Sequence, residues 1–147
     1  MTNRILVVDD EPDLQMLVLQ KFRHQIREGA YQFDFAENGA VALNMVESNP
    51  DYSLVLTDIN MPEMDGLTLL GHLNGRKRAD LKTVVVSAYG DMDNIRTAMN
   101  RGAFDFITKP IDFSDLETTM LKTIDEVGRI RDAMKAKEQL SGIRFEL

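Results

Sequence analysis

Three short apolar runs that each close on a charged residue constrain this chain most. Ile5-Leu6-Val7-Val8 leads into Asp9 and Asp10, Leu54-Val55-Leu56-Thr57 into Asp58, and Phe104-Asp105-Phe106-Ile107-Thr108 into Lys109. Runs of this kind read as buried strands of a parallel sheet. Helical patterns lie between them, and such alternation builds βα units. In an open sheet of that class, ligands collect outside the carboxyl ends of the strands. A single acid after a strand is most simply a helix cap or turn residue. Three acids and a lysine delivered to the same edge make a site the better reading.

The other elements follow from local signals. Pro12 falls at a helix's first position, where its missing N–H costs nothing, and Leu14, Leu17, Val18, Phe22 and Ile26 recur at helical spacing until about Gly29. Tyr31-Gln32-Phe33-Asp34-Phe35 alternates strictly, which predicts a half-exposed strand at a sheet edge. Asn38-Gly39 opens a second helix, and Asn49-Pro50 ends it. Strand three, Tyr52 to Thr57, is followed by a loop, Met61-Pro62-Glu63-Met64-Asp65-Gly66, and a helix carrying Leu67, Leu70 and Leu73. Thr83-Val84-Val85-Val86 forms a fourth strand ending at Ser87. Asp91 is placed to cap the next helix, which Gly102 stops in a left-handed conformation. Strand five starts at Ala103 or Phe104 and ends at Lys109, where Pro110 breaks it. Asp112 or Ser114 then starts a last helix, so five strands and five helices are expected.

That last helix is too long for the sheet it covers. Leu116, Met120, Ile124 and Val127 can face the core. Apolar residues continue at Ile130 and Met134, and out of phase at Ala133, Ala136, Leu140, Ile143 and Leu147. A slipped heptad of this kind suits a short coiled coil or a connector helix, with a frayed, solvated tail as the alternative. The domain limits expected are 1–127 for the α/β unit and 128–147 for a helical linker or coiled-coil extension.

Composition narrows the function. At 147 residues and 44% hydrophobic content the chain suits one compact domain. A net charge of -7 disfavours nonspecific binding to nucleic acid or anionic membranes, whose phosphates need clustered Lys and Arg. Arg76-Lys77-Arg78 is short and reads as a solvated loop. The absence of Cys removes disulfides, thiol nucleophiles and Cys-ligated zinc. No stretch approaches the roughly 20 apolar residues of a membrane span, and Met1-Thr2-Asn3-Arg4 runs straight into a strand, so a cytoplasmic protein is expected. Carboxylates crowded at one edge repel unless a cation shares the site. Oxygen ligands without Cys or clustered His favour Mg²⁺, which takes one or two carboxylates plus phosphate oxygens. Lys109 and Ser87 could then hold a phosphoryl group, and Asp58 could accept it as an acyl phosphate.

Val7-Val8-Asp9-Asp10-Glu11, Leu56-Thr57-Asp58-Ile59-Asn60-Met61-Pro62-Glu63-Met64-Asp65-Gly66, Ser87-Ala88 and Lys109-Pro110 closely resemble the receiver domain of two-component response regulators, over about residues 3 to 127. The resemblance implies a flavodoxin-like (βα)5 doubly wound parallel sheet of strand order 2-1-3-4-5, with the C-terminal helix as an extension. It makes Asp58 the phospho-acceptor, and Asp10 a direct Mg²⁺ ligand with Asp58 and the Asn60 backbone carbonyl. Asp9 becomes a ligand through water. Ser87 would bind one phosphoryl oxygen, the Ala88 N–H another, and Lys109 would pair with the phosphate. Lys109-Pro110 resembles the family's cis peptide.

The same resemblance implies a signalling module and not an enzyme with a separate substrate. It would catalyse its own phosphorylation, from the phosphohistidine of a sensor histidine kinase or phosphotransfer protein, and its own dephosphorylation. A phosphoryl group beside Ser87 can draw the loop after strand four inward. In receivers an aromatic on strand five then rotates; Phe106 stands there, where many members have Tyr. The surface that changes is the fourth helix, fifth strand and fifth helix. That surface or the C-terminal helix could form a homodimer. Asn60 and Tyr89 look over the path of the hydrolytic water, and the bulk of Tyr89 is expected to slow phosphate loss. No helix-turn-helix follows residue 127, so direct nucleic-acid binding is not expected, and the last helix is expected to lead towards an output domain beyond this sequence. Two rivals stand beside this reading. A haloacid-dehalogenase-like phosphohydrolase would carry a second Asp where this chain has Asn60, and a receiver fold that signals without phosphorylation would not need the full residue set.

Overall fold

In the computed structural model, residues 2–76 and 78–146 are described, with side chains described up to residue 140. Lys77, the Ile143 side chain and Leu147, which figure in the basic cluster and the heptad, lie outside the described residues. The strands are β1 (Asn3–Val8), β2 (Tyr31–Ala36), β3 (Tyr52–Asp58), β4 (Lys82–Ala88) and β5 (Asp105–Lys109). They form one sheet in the order β2-β1-β3-β4-β5, with every neighbouring pair parallel. This is the order that the family resemblance implied.

The sheet is covered on both faces by helices α1 (Pro12–Lys21), α2 (Arg23–Arg27), α3 (Gly39–Ser48), α4 (Gly66–Gly75), α5 (Met92–Asn100) and α6 (Phe113–Glu146). Alternate strand residues serve opposite faces. Ile5, Val7, Leu54, Leu56, Val84 and Val86 pack with Leu14, Val18, Phe22, Leu116 and Met120. On the other face Leu6, Val8 and Val55 meet Ala42, Val46, Leu69 and Leu73, and Val85 meets Leu70 and Ala98. All seven residues of β3 are buried. Full burial of an aliphatic side chain contributes about 1.5–3 kcal/mol, so β3 is a firm post on which to mount Asp58.

Several local expectations are corrected. The first helix is divided at Phe22, whose backbone opens to φ -105 and ψ 19, so the described residues form six helical elements where five were expected. Hydrogen bonds from Phe22 N to Val18 O and from Ile26 N to Phe22 O carry the path through the break. The Phe22 ring lies among Tyr31, Phe33 and Phe113. β2 is an edge strand, yet its exposure does not alternate strictly: Asp34 is half-buried because Arg4 and the Tyr52 hydroxyl both donate to its carboxylate. β5 is the opposite edge and starts only at Asp105. Having one neighbour, it buries just Ile107, and Phe106 is 37% exposed. Asp91 sits at the N-cap of α5 without capping it; its carboxylate accepts from the Asn94 side chain instead.

Asp112 accepts hydrogen bonds from the backbone N–H groups of Ser114 and Asp115 and so starts α6. This helix has 34 residues and is ~51 Å long. Leu116, Met120, Thr123 and Val127 are buried, and Ile130 is half-buried. Arg131 then reaches back to Asp80 at 3.2 Å, the Ser53 hydroxyl at 3.1 Å and the Tyr52 carbonyl at 3.2 Å. Residues 132–140 are all exposed.

Candidate functional site

The parallel register brings the charged strand ends together. Val8 lies beside Thr57, Asp58 beside Val86, and Ala88 beside Lys109, so β1, β3, β4 and β5 all deliver their next residues to one edge. Carboxylate oxygens of Asp9, Asp10 and Asp58 lie within 4.8 Å of one another. Lys109 Nζ donates to Asp58 Oδ2 at 2.8 Å and stands 3.9 Å from Asp9 Oδ2. Asp58 is 6% exposed, whereas Asp10 is open to solvent. The edge therefore offers one sheltered carboxylate and one accessible one around a shared space.

The electrostatics agree with the crowding. Burial pushes the Asp9 carboxyl up from its ordinary value; the Glu11 N–H bond opposes this, and the Asp58 charge adds to it. Burial works against the Lys109 ammonium, but its hydrogen bond and charge attraction to Asp58, aided by Asp9, leave its pKa raised. Lys109 thus stays a cation. Three carboxylates against that one ammonium leave room for a further positive charge. The donor set is all oxygen, and it fits a hard divalent ion.

Ser87 closes the other side. Its hydroxyl is fully buried and has no hydrogen-bond partner among the described residues. Buried polar atoms are nearly always paired, so an orphan at this edge is a donor awaiting an acceptor. Ala88 ends β4 and is exposed, which leaves its backbone near the opening. Asn60 is exposed and its backbone N–H reaches Asp58 Oδ1 at 3.3 Å. Tyr89 is 84% exposed, and Phe106 lies on the outer edge of the sheet. Lys109-Pro110 is a cis peptide.

Two glycines shape the loop beneath the site, a role the sequence reading did not assign. A Cβ on Gly66 would stand 2.1 Å from the Asp58 carbonyl oxygen, and one on Gly39 2.7 Å from the Met64 carbonyl oxygen. Their N–H groups bond Ile59 O and Met64 O. Asp65 caps α4 through Thr68 N at 2.8 Å. The Asp-Gly pair before a helix was the available signal.

The model of the response regulator receiver domain family matches residues 5–121. The chain belongs to the response regulator receiver family. Sporulation initiation phosphotransferase F of Bacillus subtilis is 32% identical over 123 residues, covering 83% of this chain and 94% of that protein. Regulatory protein AtoC of Escherichia coli is also 32% identical over 123 residues, 83% of this chain, but this receiver spans only 25% of AtoC's length. It spans between 16 and 24% of four further response regulators. A receiver domain protein from Clostridium thermocellum superposes with a TM-score of 0.73 at 25% identity, over 87% of this chain and 98% of its own. Among the described residues of this receiver, no helix is long and apolar enough to cross a membrane.

Proposed function

We propose that Asp58 accepts a phosphoryl group from the phosphohistidine of a sensor histidine kinase or a phosphotransfer protein. The observation that carries this reading is the sheltered Asp58 carboxylate, placed between the Lys109 ammonium at 2.8 Å and the acidic pair Asp9 and Asp10. Mg²⁺ would be held by Asp10, Asp58 and the Asn60 carbonyl, with Asp9 acting through water; when bound it supplies positive charge to the phosphoryl oxygens. A carboxylate oxygen of Asp58 attacks phosphorus, the P–N bond breaks, and the imidazole leaves with the electron pair. Lys109, the Ser87 hydroxyl and the Ala88 N–H take up the oxygens of the transferred group. Fixed donors aimed at developing charge need no reorganisation during the step. Hydrolysis of the acyl phosphate would then return Asp58 to its carboxylate.

The switch follows from the Ser87 orphan. Once its hydroxyl has a phosphoryl oxygen to meet, the loop after β4 is drawn inward, and Phe106 moves from its half-exposed position. The surface altered is α5, β5 and the first part of α6, and it would pass the signal to an output domain or partner. Tyr89, the first residue of that loop, would shield the acyl phosphate from water. Incubation with acetyl phosphate and Mg²⁺ tests the reading by intact mass. A gain of about one phosphoryl group, lost in Asp58→Asn, is expected. No gain would favour a receiver that signals without phosphorylation, and turnover of an organic phosphate monoester would favour a phosphohydrolase.

A further inference from the structure

We infer that Thr57, buried behind the phospho-acceptor, is a positioning residue for Asp58 and acts through its hydroxyl on the Asp58 carbonyl. The inference deepens the reading of Asp58 as the acceptor and rests on it. Thr57 is fully buried in β3. Two positions after Val55, it shares that residue's face of the sheet, and in register it lies between Val8 and Val85, both buried. These neighbours are all aliphatic, and valine, branched in the same way, would match threonine's shape among them. Burying a hydroxyl in such a setting costs free energy unless it is hydrogen-bonded. Thr57 Oγ1 donates to the Asp58 carbonyl at 2.9 Å.

The choice of acceptor argues against a role in holding the fold. Ser53, earlier on the same strand, is also fully buried, and its hydroxyl accepts from Arg131 at 3.1 Å, which ties α6 to β3. Thr57 joins no second element. Its bond goes to the adjacent peptide, where a link between elements has nothing to gain.

That peptide is the one on which the site turns. At its other end the Ile59 N–H donates to the Val86 carbonyl at 3.1 Å. One bond holds the oxygen and the other the N–H, so the plane of the Asp58–Ile59 peptide is fixed. Gly66 packs against the same oxygen: a Cβ there would stand 2.1 Å from it. Behind the plane is the Cα from which the Asp58 carboxylate reaches Lys109 at 2.8 Å, and ahead of it is Asn60, whose N–H meets Asp58 Oδ1 at 3.3 Å. A tilt of this peptide moves both. Thr57 bonds the main chain and not the reacting carboxylate, so its part is to position.

In the 147-residue protein, Thr57→Val lacks the hydroxyl and Thr57→Ser lacks the methyl group. Each variant loses one small contribution, so both should unfold at a slightly lower urea concentration than the parent. Acetyl phosphate with Mg²⁺ is a donor too small to need a docking surface. With it, intact mass is expected to show Thr57→Val gaining its phosphoryl group about tenfold more slowly than the parent, and Thr57→Ser within about twofold. Without donor or Mg²⁺, exchange of the Ile59 and Asn60 amide hydrogens, read by NMR, should be faster in Thr57→Val and unchanged in Thr57→Ser. Equal phosphorylation rates in the parent and Thr57→Val, rates that fall in step with stability in both variants, or a Thr57→Val protein that does not fold would overturn the inference. If the parent itself gains no phosphoryl group, the reading of Asp58 falls, and amide exchange alone decides the role of Thr57, equal rates in all the proteins overturning it.

Discussion

At the amino-terminal end of the sheet, Asp34 accepts from Arg4 at 3.0 Å and from the Tyr52 hydroxyl at 2.5 Å, while Asp80 is shared by Arg78 and Arg131. At the carboxyl end, Asp9, Asp10 and Asp58 crowd together, Lys109 pairs with Asp58 and stands near Asp9, and the buried Ser87 hydroxyl has no partner among the described residues. The first arrangement is satisfied. It contributes stability and fixes where α6 leaves the domain. The second is left incomplete, and its unmatched charge and orphan donor are what a cation and a phosphoryl group would complete. One sheet thus places a satisfied arrangement and an incomplete one at opposite strand ends.

The contrast would break most sharply at Gly66, where the carboxyl end depends on backbone contact and not on charge. Gly66→Ala puts a methyl group against the Asp58 carbonyl and is expected to cost about 3 kcal/mol in urea denaturation. A loss near zero would mean that the loop under Asp58 yields easily.

Next in size is the satisfied end. Tyr52→Phe removes the bond to Asp34 and should cost about 1 kcal/mol at neutral pH. Burial first, and then Asp34, push the Tyr52 phenol up to about 12. The folded state therefore keeps this proton after the unfolded chain has lost it. Its stabilisation is full below pH 10 and is lost as pH rises from there to about 12. Denaturation across that range should show the decline in the parent and a flatter curve in Tyr52→Phe.

Asp9→Asn probes the crowded end with a smaller effect of opposite sign. Burial and the neighbouring Asp58 charge raise the Asp9 pKa, so its ionised form opposes folding. That penalty is absent in acid and sets in as pH rises through the raised value. Without divalent ions, the variant should melt above the parent at neutral pH. Mg²⁺ should raise the parent's melting temperature more than the variant's. A variant that melts lower would assign Asp9 to structure.

The smallest effect is expected at Ser87. Its hydroxyl makes no bond, so Ser87→Ala should change stability by no more than about 0.5 kcal/mol in the same denaturation assay. A larger loss would mean that the orphan is already paired, for instance through water, and would weaken the contrast between the two ends.

The strand ends were legible because a parallel sheet writes itself as apolar runs, and the residue after each run must emerge at the same edge. Asp9, Asp10, Asp58 and Lys109 could be named from that rule alone, and Pro12, Asn38 and Asp112 announced helix starts by local chemistry. The division at Phe22, the close approach of Gly66 and the half-buried Asp34 could not. Each depends on atoms 8 to 30 positions away in the sequence.

Residue order alone thus determined which side chains reach the carboxyl edge of the sheet, since period and strand direction are local properties. Only the tertiary structure decided which of them are paired, because pairing is set by neighbours that the chain brings together from distant segments. It left Ser87 without a partner, gave Lys109 to Asp58, and tied Arg131 across 78 positions to Ser53.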